Sequence, residues 1–166
     1  MQSHKDKEVI IIIDFGSQVT KLIARRIRDL GVYSEIIPPA AIKRLKKYNN
    51  IKGIIFSGGP STVTKNKFQT IPKDLFKKKI PILGICYGLQ LIAKLFGGKI
   101  KSLKKKREFG RAFLLNRRSS LLTKNFYKSS KAVWMSHEDA VIKLPKNFKV
   151  VASTKESRLT IIENTK

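Results

Sequence analysis

The chain has 166 residues, a single cysteine and a formal net charge of +25, from 36 Lys and Arg against 11 Asp and Glu. One cysteine excludes an internal disulfide and fits a reducing, cytoplasmic setting. The longest apolar run, Val9 to Ile13, is far too short to cross a membrane, and the polar tail at 1–7 has no signal-peptide core.

The length suits one domain, 8–166. The charge invites a nucleic-acid reading. Against it, the basic residues are mostly Lys spread along the whole chain. The one dense run, Lys101 to Arg107, has no interleaved aromatics. No specific nucleic-acid partner is expected, whereas non-specific adhesion at low salt is.

In chain order, Glu8 to Asp14 is an apolar run ending in an acid, the pattern of a buried parallel strand. Phe15-Gly16-Ser17-Gln18 turns the chain, with Ser17 as the expected N-cap of a helix. Val19, Leu22, Ile23, Ile27 and Leu30 form its apolar face, and Gly31 ends it. Val32 to Ile37 reads as a second strand, stopped by Pro38-Pro39, and Ala41 to Tyr48 as a short basic helix. Gly53 to Phe56 is a third buried strand running into Ser57-Gly58-Gly59-Pro60. In a parallel sheet that loop lies at the carboxyl ends of the strands, where ligands collect. Thr62 to Lys67 reads as a loop, and Leu75 to Lys79 as the end of a helix.

The next stretch organises the chain. Ile80-Pro81-Ile82-Leu83 is a short apolar strand, Gly84-Ile85-Cys86-Tyr87-Gly88 a turn, and Leu89 to Phe96 a helix stopped by Gly97-Gly98. A free Cys can be no more than a small buried hydrophobe. Here the strand–turn–helix layout is that of a nucleophile elbow with Cys in place of Ser. The flanking glycines permit a corner that a Cβ would hinder, and the helix N-terminus is expected to lower the thiol pKa somewhat.

Beyond Gly98 the periodicity shortens. Phe109 to Leu115, Ala132 to Met135, Val150 to Ser153 and Leu159 to Glu163 read as strands between polar turns. Alternating strand and helix followed by strands alone predicts a layered α/β domain with a mixed sheet.

These residues resemble the class I glutamine amidotransferases, and within them the amidotransferase domains of the GMP synthase family. The resemblance rests on Asp14-Phe15-Gly16-Ser17-Gln18 with Leu22 to Arg26, on Ser57-Gly58-Gly59-Pro60, and on Gly84 to Gln90. Arg107-Glu108-Phe109-Gly110 and Trp134-Met135-Ser136-His137 match in order and spacing, so that 8–163 are covered. It implies a flavodoxin-like α/β fold, a mostly parallel sheet flanked by helices. It also implies hydrolysis of glutamine, with ammonia passed to an ATP-pyrophosphatase synthetase domain or subunit that aminates XMP to GMP. ATP and Mg would belong to that partner, and this domain would need no cofactor or metal.

Carried over position by position, the resemblance makes Cys86 the nucleophile and the Gly59 and Tyr87 N–H groups the oxyanion donors. Gly58 and Gln90 would contact glutamine, and Ser136, His137 and Glu138 would hold its amino-acid end. On the residues alone, Gln90 reads equally as a solvent-facing helix residue and His137 as a structural histidine. Glu138 replaces the family's usual Gly, which would strain the backbone if that position needs positive φ. The family's His-Pro-Glu segment, carrying the base and its orienting carboxylate, is expected beyond Lys166, together with a sheet strand whose loss would leave apolar surface uncovered. Neither His4 nor His137 matches that base. The resemblance therefore implies lost or very slow turnover for these residues alone, or a non-catalytic, partner-binding relic.

Overall fold

The computed structural model describes residues 7–103, 108–115, 118–124 and 132–164. His4, most of the 1–7 tail, Lys104 to Arg107 and Lys166 lie outside the described residues. The chain divides into two compact units, Met1–Ile92 and Ala93–Lys166.

The first unit is built on a four-stranded parallel sheet. Strand β1 (Val9–Ile13) lies between β2 (Tyr33–Ile37) and β3 (Ile51–Phe56), and β4 (Ile82–Gly84) pairs with β3, giving the order β2-β1-β3-β4. Ile11, Ile12 and Ile13 are all fully buried. Consecutive burial, rather than alternation, marks a central parallel strand covered on both faces. This order matches the start of a flavodoxin-like sheet, whose ligand site lies where the chain reverses direction between β1 and β3.

Helix α1 (Thr20–Asp29) packs against β1 and β2, with Ala24 fully buried. The Ser34 hydroxyl donates to the Ala24 carbonyl at 3.0 Å. Two sequence expectations fail here. The helix begins at Thr20 with Val19 as its N-cap, and Ser17 does not cap it: the Ser17 hydroxyl instead accepts from the Val19 N–H. The expected apolar face is also largely open, with Val19, Leu22 and Leu30 exposed. The helix turns its small residues, Thr20 and Ala24, to the sheet, which lets it approach closely.

Pro39–Lys47 and Lys73–Lys78 are 3₁₀ turns rather than α-helices. The second ends at Lys79, which adopts φ +51. The boundary between the units falls within α2 (Tyr87–Leu95), which stops at Gly97 with φ +85.

The second unit is made of antiparallel pairs: β5 (Lys99–Ser102) with β8 (Asp139–Lys143), β6 (Glu108–Phe113) with β7 (Ala132–His137), and β9 (Phe148–Ala152) with β10 (Ile161–Asn164). Leu115 and Ser153 exchange two backbone hydrogen bonds, at 2.7 and 3.0 Å, and so tie the end of β6 to β9. The sequence reading misses β5 and β8. The alternation of Lys99-Ile100-Lys101-Ser102 is hidden inside a lysine run, and Glu138 alone separates β7 from β8, with no Gly or Pro to mark the turn. Among the described residues no helix is long and apolar enough to cross a membrane.

Candidate active site

The carboxyl ends of β1, β3 and β4 are neighbours in the sheet, so the segments that follow them meet at one edge. Asp14 fastens the first of these segments. Its Oδ1 accepts from the Gly16 N–H at 2.9 Å, the Thr20 hydroxyl at 2.8 Å and, more weakly, the Ser57 hydroxyl at 3.5 Å. The Ser57 hydroxyl in turn accepts from the Phe15 N–H at 3.0 Å. The β1 and β3 loops are thus pinned together by buried polar groups, which hold geometry better than loop packing would.

The elbow is seated on the end of β3. The Ile85 N–H donates to the Phe56 carbonyl at 3.0 Å, and the Gly88 N–H donates to the Ser57 carbonyl at 3.2 Å. Cys86 adopts φ +48, one of only three non-glycine residues with positive φ among the described residues. The strained residue of the corner is therefore the cysteine itself.

The glycines serve a different end. A Cβ on Gly84 would stand 2.6 Å from the Leu89 backbone nitrogen. One on Gly88 would strike the Phe56 carbonyl oxygen, and one on Gly59 the Phe15 carbonyl oxygen. Backbone meets backbone at all three positions, and only a hydrogen in place of a side chain allows it.

Cys86 opens to solvent at the tip of this corner. A Cβ on buried Gly58 would be in ordinary contact with the Cys86 Cβ, 3.6 Å away, and with the Ser17 Oγ, 3.5 Å away. The glycine loop and the cysteine side chain are therefore neighbours. Among the described residues neither the Gly59 N–H nor the Tyr87 N–H has a hydrogen-bond acceptor. Beneath the elbow Tyr87 is only 1% exposed; its ring lies 5.1 Å from that of Phe15, and its hydroxyl donates to the Gln69 carbonyl.

Gln90 is buried, which removes the reading of a solvent-facing residue, and its N–H makes the first helical hydrogen bond to the Cys86 carbonyl at 3.0 Å. The thiol is exposed on one side but crowded by protein on the others, and that desolvation pushes its pKa up from the ordinary value. The expected lowering by the helix N-terminus does not prevail.

Ser136, His137 and Glu138 belong to the second unit. Ser136 is exposed on β7. His137 is paired in register with Glu108, and its Nε2 lies 3.3 Å from the Glu108 Oε2, both side chains being about nine-tenths buried. The two groups face each other without hydrogen-bond alignment, and among the described residues the Glu108 Oε2 and the His137 Nδ1 have no hydrogen-bond partner. His137 is thus a strand residue held by a carboxylate, in keeping with a structural part. Glu138 is exposed, its carbonyl accepts from the Leu103 N–H at 2.8 Å, and its φ is not positive. The strain envisaged for replacing Gly at this position does not arise.

Asp14, Ser17 and Ser57, which sequence reasoning passed over or misassigned, shape the loops beside Cys86. The available signal was positional: all three stand just past the carboxyl ends of adjacent strands. No cluster of three or more His, Cys, Asp or Glu capable of holding a metal occurs among the described residues.

The family model of glutamine amidotransferase class-I matches residues 11–166. The chain belongs to this family. It is 46% identical to the GMP synthase (glutamine-hydrolysing) of Wigglesworthia glossinidia brevipalpis over 97% of its length, and 43% identical to that of Staphylococcus aureus over 100%. It spans only about a third of those relatives, 32% of each. A solved structure from Thermoplasma acidophilum, described as one of the subunits of a GMP synthase, superposes with a TM-score of 0.78 at 27% identity, covering 97% of this chain and 80% of that one. A Thermotoga maritima glutamine amidotransferase shares the fold, with a TM-score of 0.66 at 20% identity, covering 98% and 73%.

Proposed function

We propose that this domain takes the side-chain amide of glutamine at Cys86 and serves as the glutamine-hydrolysing component of a GMP synthase. The observation that carries the reading is the left-handed Cys86 beside Gly58, with the Gly59 and Tyr87 N–H groups free of acceptors among the described residues. Such donors are suited to a developing oxyanion because they are fixed before the reaction begins.

In this reading the Cys86 thiolate adds to the amide carbon, and the negative charge moves onto the amide oxygen between the two N–H groups. Collapse breaks the C–N bond. The nitrogen leaves as ammonia, taking a proton, and a thioester remains on sulfur. Water then attacks the thioester carbon and releases glutamate and the thiol. Gln90 and Gly58 would contact the bound glutamine. The ammonia would pass to an ATP-pyrophosphatase synthetase domain or subunit, where ATP and Mg would be used to aminate XMP. The names and greater length of the relatives support that partner.

A second reading is favoured by one specific observation. Desolvation raises the Cys86 pKa although the residue stands at the start of α2. The thiol would then be poorly activated, and these residues alone would bind without turning over. A chloroketone analogue of glutamine with mass detection separates the two. Labelling of Cys86 that is fast and blocked by glutamine supports the glutaminase. Labelling no faster than that of a denatured-chain thiol, and indifferent to glutamine, supports the binding domain.

A further inference from the structure

The β6–β7 ribbon is inside out. Its residues alternate in exposure from Glu108 to Leu115, as a strand requires, but the polar pair Glu108–His137 is on the buried side. The opposite side presents Phe109, Arg111 and Phe113 from β6, across from Ser136, Trp134 and Ala132 on β7. Phe109 is 60%, Phe113 55% and Trp134 79% exposed. The Arg111 guanidinium lies over the Phe113 ring, 5.1 Å from its centre.

The three rings leave roughly 400 Å² of aromatic surface in water, the size at which a patch marks an interaction site rather than scatter. It is about half of what one partner brings to an interface of standard size. Exposed Leu115 extends the same side of the strand beyond Phe113. Aromatics with an arginine are the composition of the energetic centre of a protein–protein contact.

We infer that this face of β6–β7 docks a protein partner, the synthetase part of the enzyme, through an apolar centre ringed by acidic groups. The inference rests on the function proposed above and adds to it the surface used. Two further observations favour this occupant. The relatives are about three times as long as this chain, so in them further chain accompanies the matched region. The net charge of +25 repels a second copy and attracts an acidic rim.

Trp134 is the chain's only tryptophan, so 5-fluorotryptophan labelling gives a single ¹⁹F resonance from the centre of the face. The probe is the synthetase part of the Staphylococcus aureus GMP synthase, the region outside the match. The expected result is a saturable shift of that resonance at micromolar probe. Phe109→Thr and Phe113→Thr should each weaken binding at least tenfold, leaving the thermal midpoint and the rate of Cys86 labelling unchanged.

Absence of binding at 100 µM probe overturns the proposal, as does binding that neither variant weakens. A shift produced instead by oligo-dT at physiological salt, or by concentrating the chain alone, assigns the face to nucleic acid or to a second copy and equally overturns it. Lost glutamine-protectable labelling with docking intact would sink the glutaminase reading, while docking lost with labelling intact would sink this surface alone.

Discussion

The two units solve different problems. In the first, the site depends on backbones brought closer than side chains allow: Gly59 against Phe15, Gly88 against Phe56, Gly84 against the α2 start. In the second, short antiparallel pairs are held by side-chain partners such as Glu108 with His137 and Glu163 with Lys149 and Ser120. A two-stranded ladder has little stability alone and relies on what packs against its faces. The lesson is that close backbone approach fixes the corner at Cys86 in the parallel layer, whereas the ladders depend on side-chain partners.

The largest test of that contrast is Gly88→Ala. Its Cβ would strike the Phe56 carbonyl, so the elbow must move, at a cost of about 3 kcal/mol or more. The matching change in the second unit, Gly110→Ala, meets nothing within 4 Å and violates only φ +92, so about 1 kcal/mol is expected. Denaturant melts of the two variants measure the difference, and equal losses would break the comparison.

Glu108→Ala should rank next, at about 1–3 kcal/mol, because it strands a buried His137 without its carboxylate. Cys86→Gly should act in the opposite direction. It relieves the left-handed strain and should stabilise the fold by about 1 kcal/mol while abolishing labelling, the signature of a site that trades stability for chemistry.

The pH profile of Cys86 sharpens the point. With the thiol pKa raised by burial, alkylation should reach half its maximal rate at higher pH in the folded chain than in the denatured one. The sign for stability follows: the fold is favoured while the thiol is protonated, and it loses that contribution as the pH rises from the unfolded value through the folded one. A midpoint below that of the denatured chain would show an activating group near the sulfur.

The smallest effect belongs to Glu163. Burial pushes its carboxyl up, but bonds from Lys149 and Ser120 and the Lys149 charge outweigh this and leave it lowered. Its contribution should be present above the ordinary carboxylate range and fade as the pH falls through the lowered value. Because the pair is partly exposed, Glu163→Gln should cost no more than about 0.5–1 kcal/mol in a thermal melt.

The residues by themselves determined the alternation of β1 to β4 with helical segments, the elbow at Cys86 and the family. Each of these is written in local pattern: continuous apolar runs, small residues around one cysteine, glycines where the chain turns. Tertiary structure alone decided the rest. It seated Ser17 beside Gly58 instead of at a helix cap, chose 3₁₀ turns at Pro39–Lys47, paired lysine-rich β5 with β8, and turned the aromatics of β6–β7 outward while drawing Glu108 and His137 in. The physical reason is that strand alternation records that two faces differ but not which of them is covered, and only the neighbours of a ladder settle that.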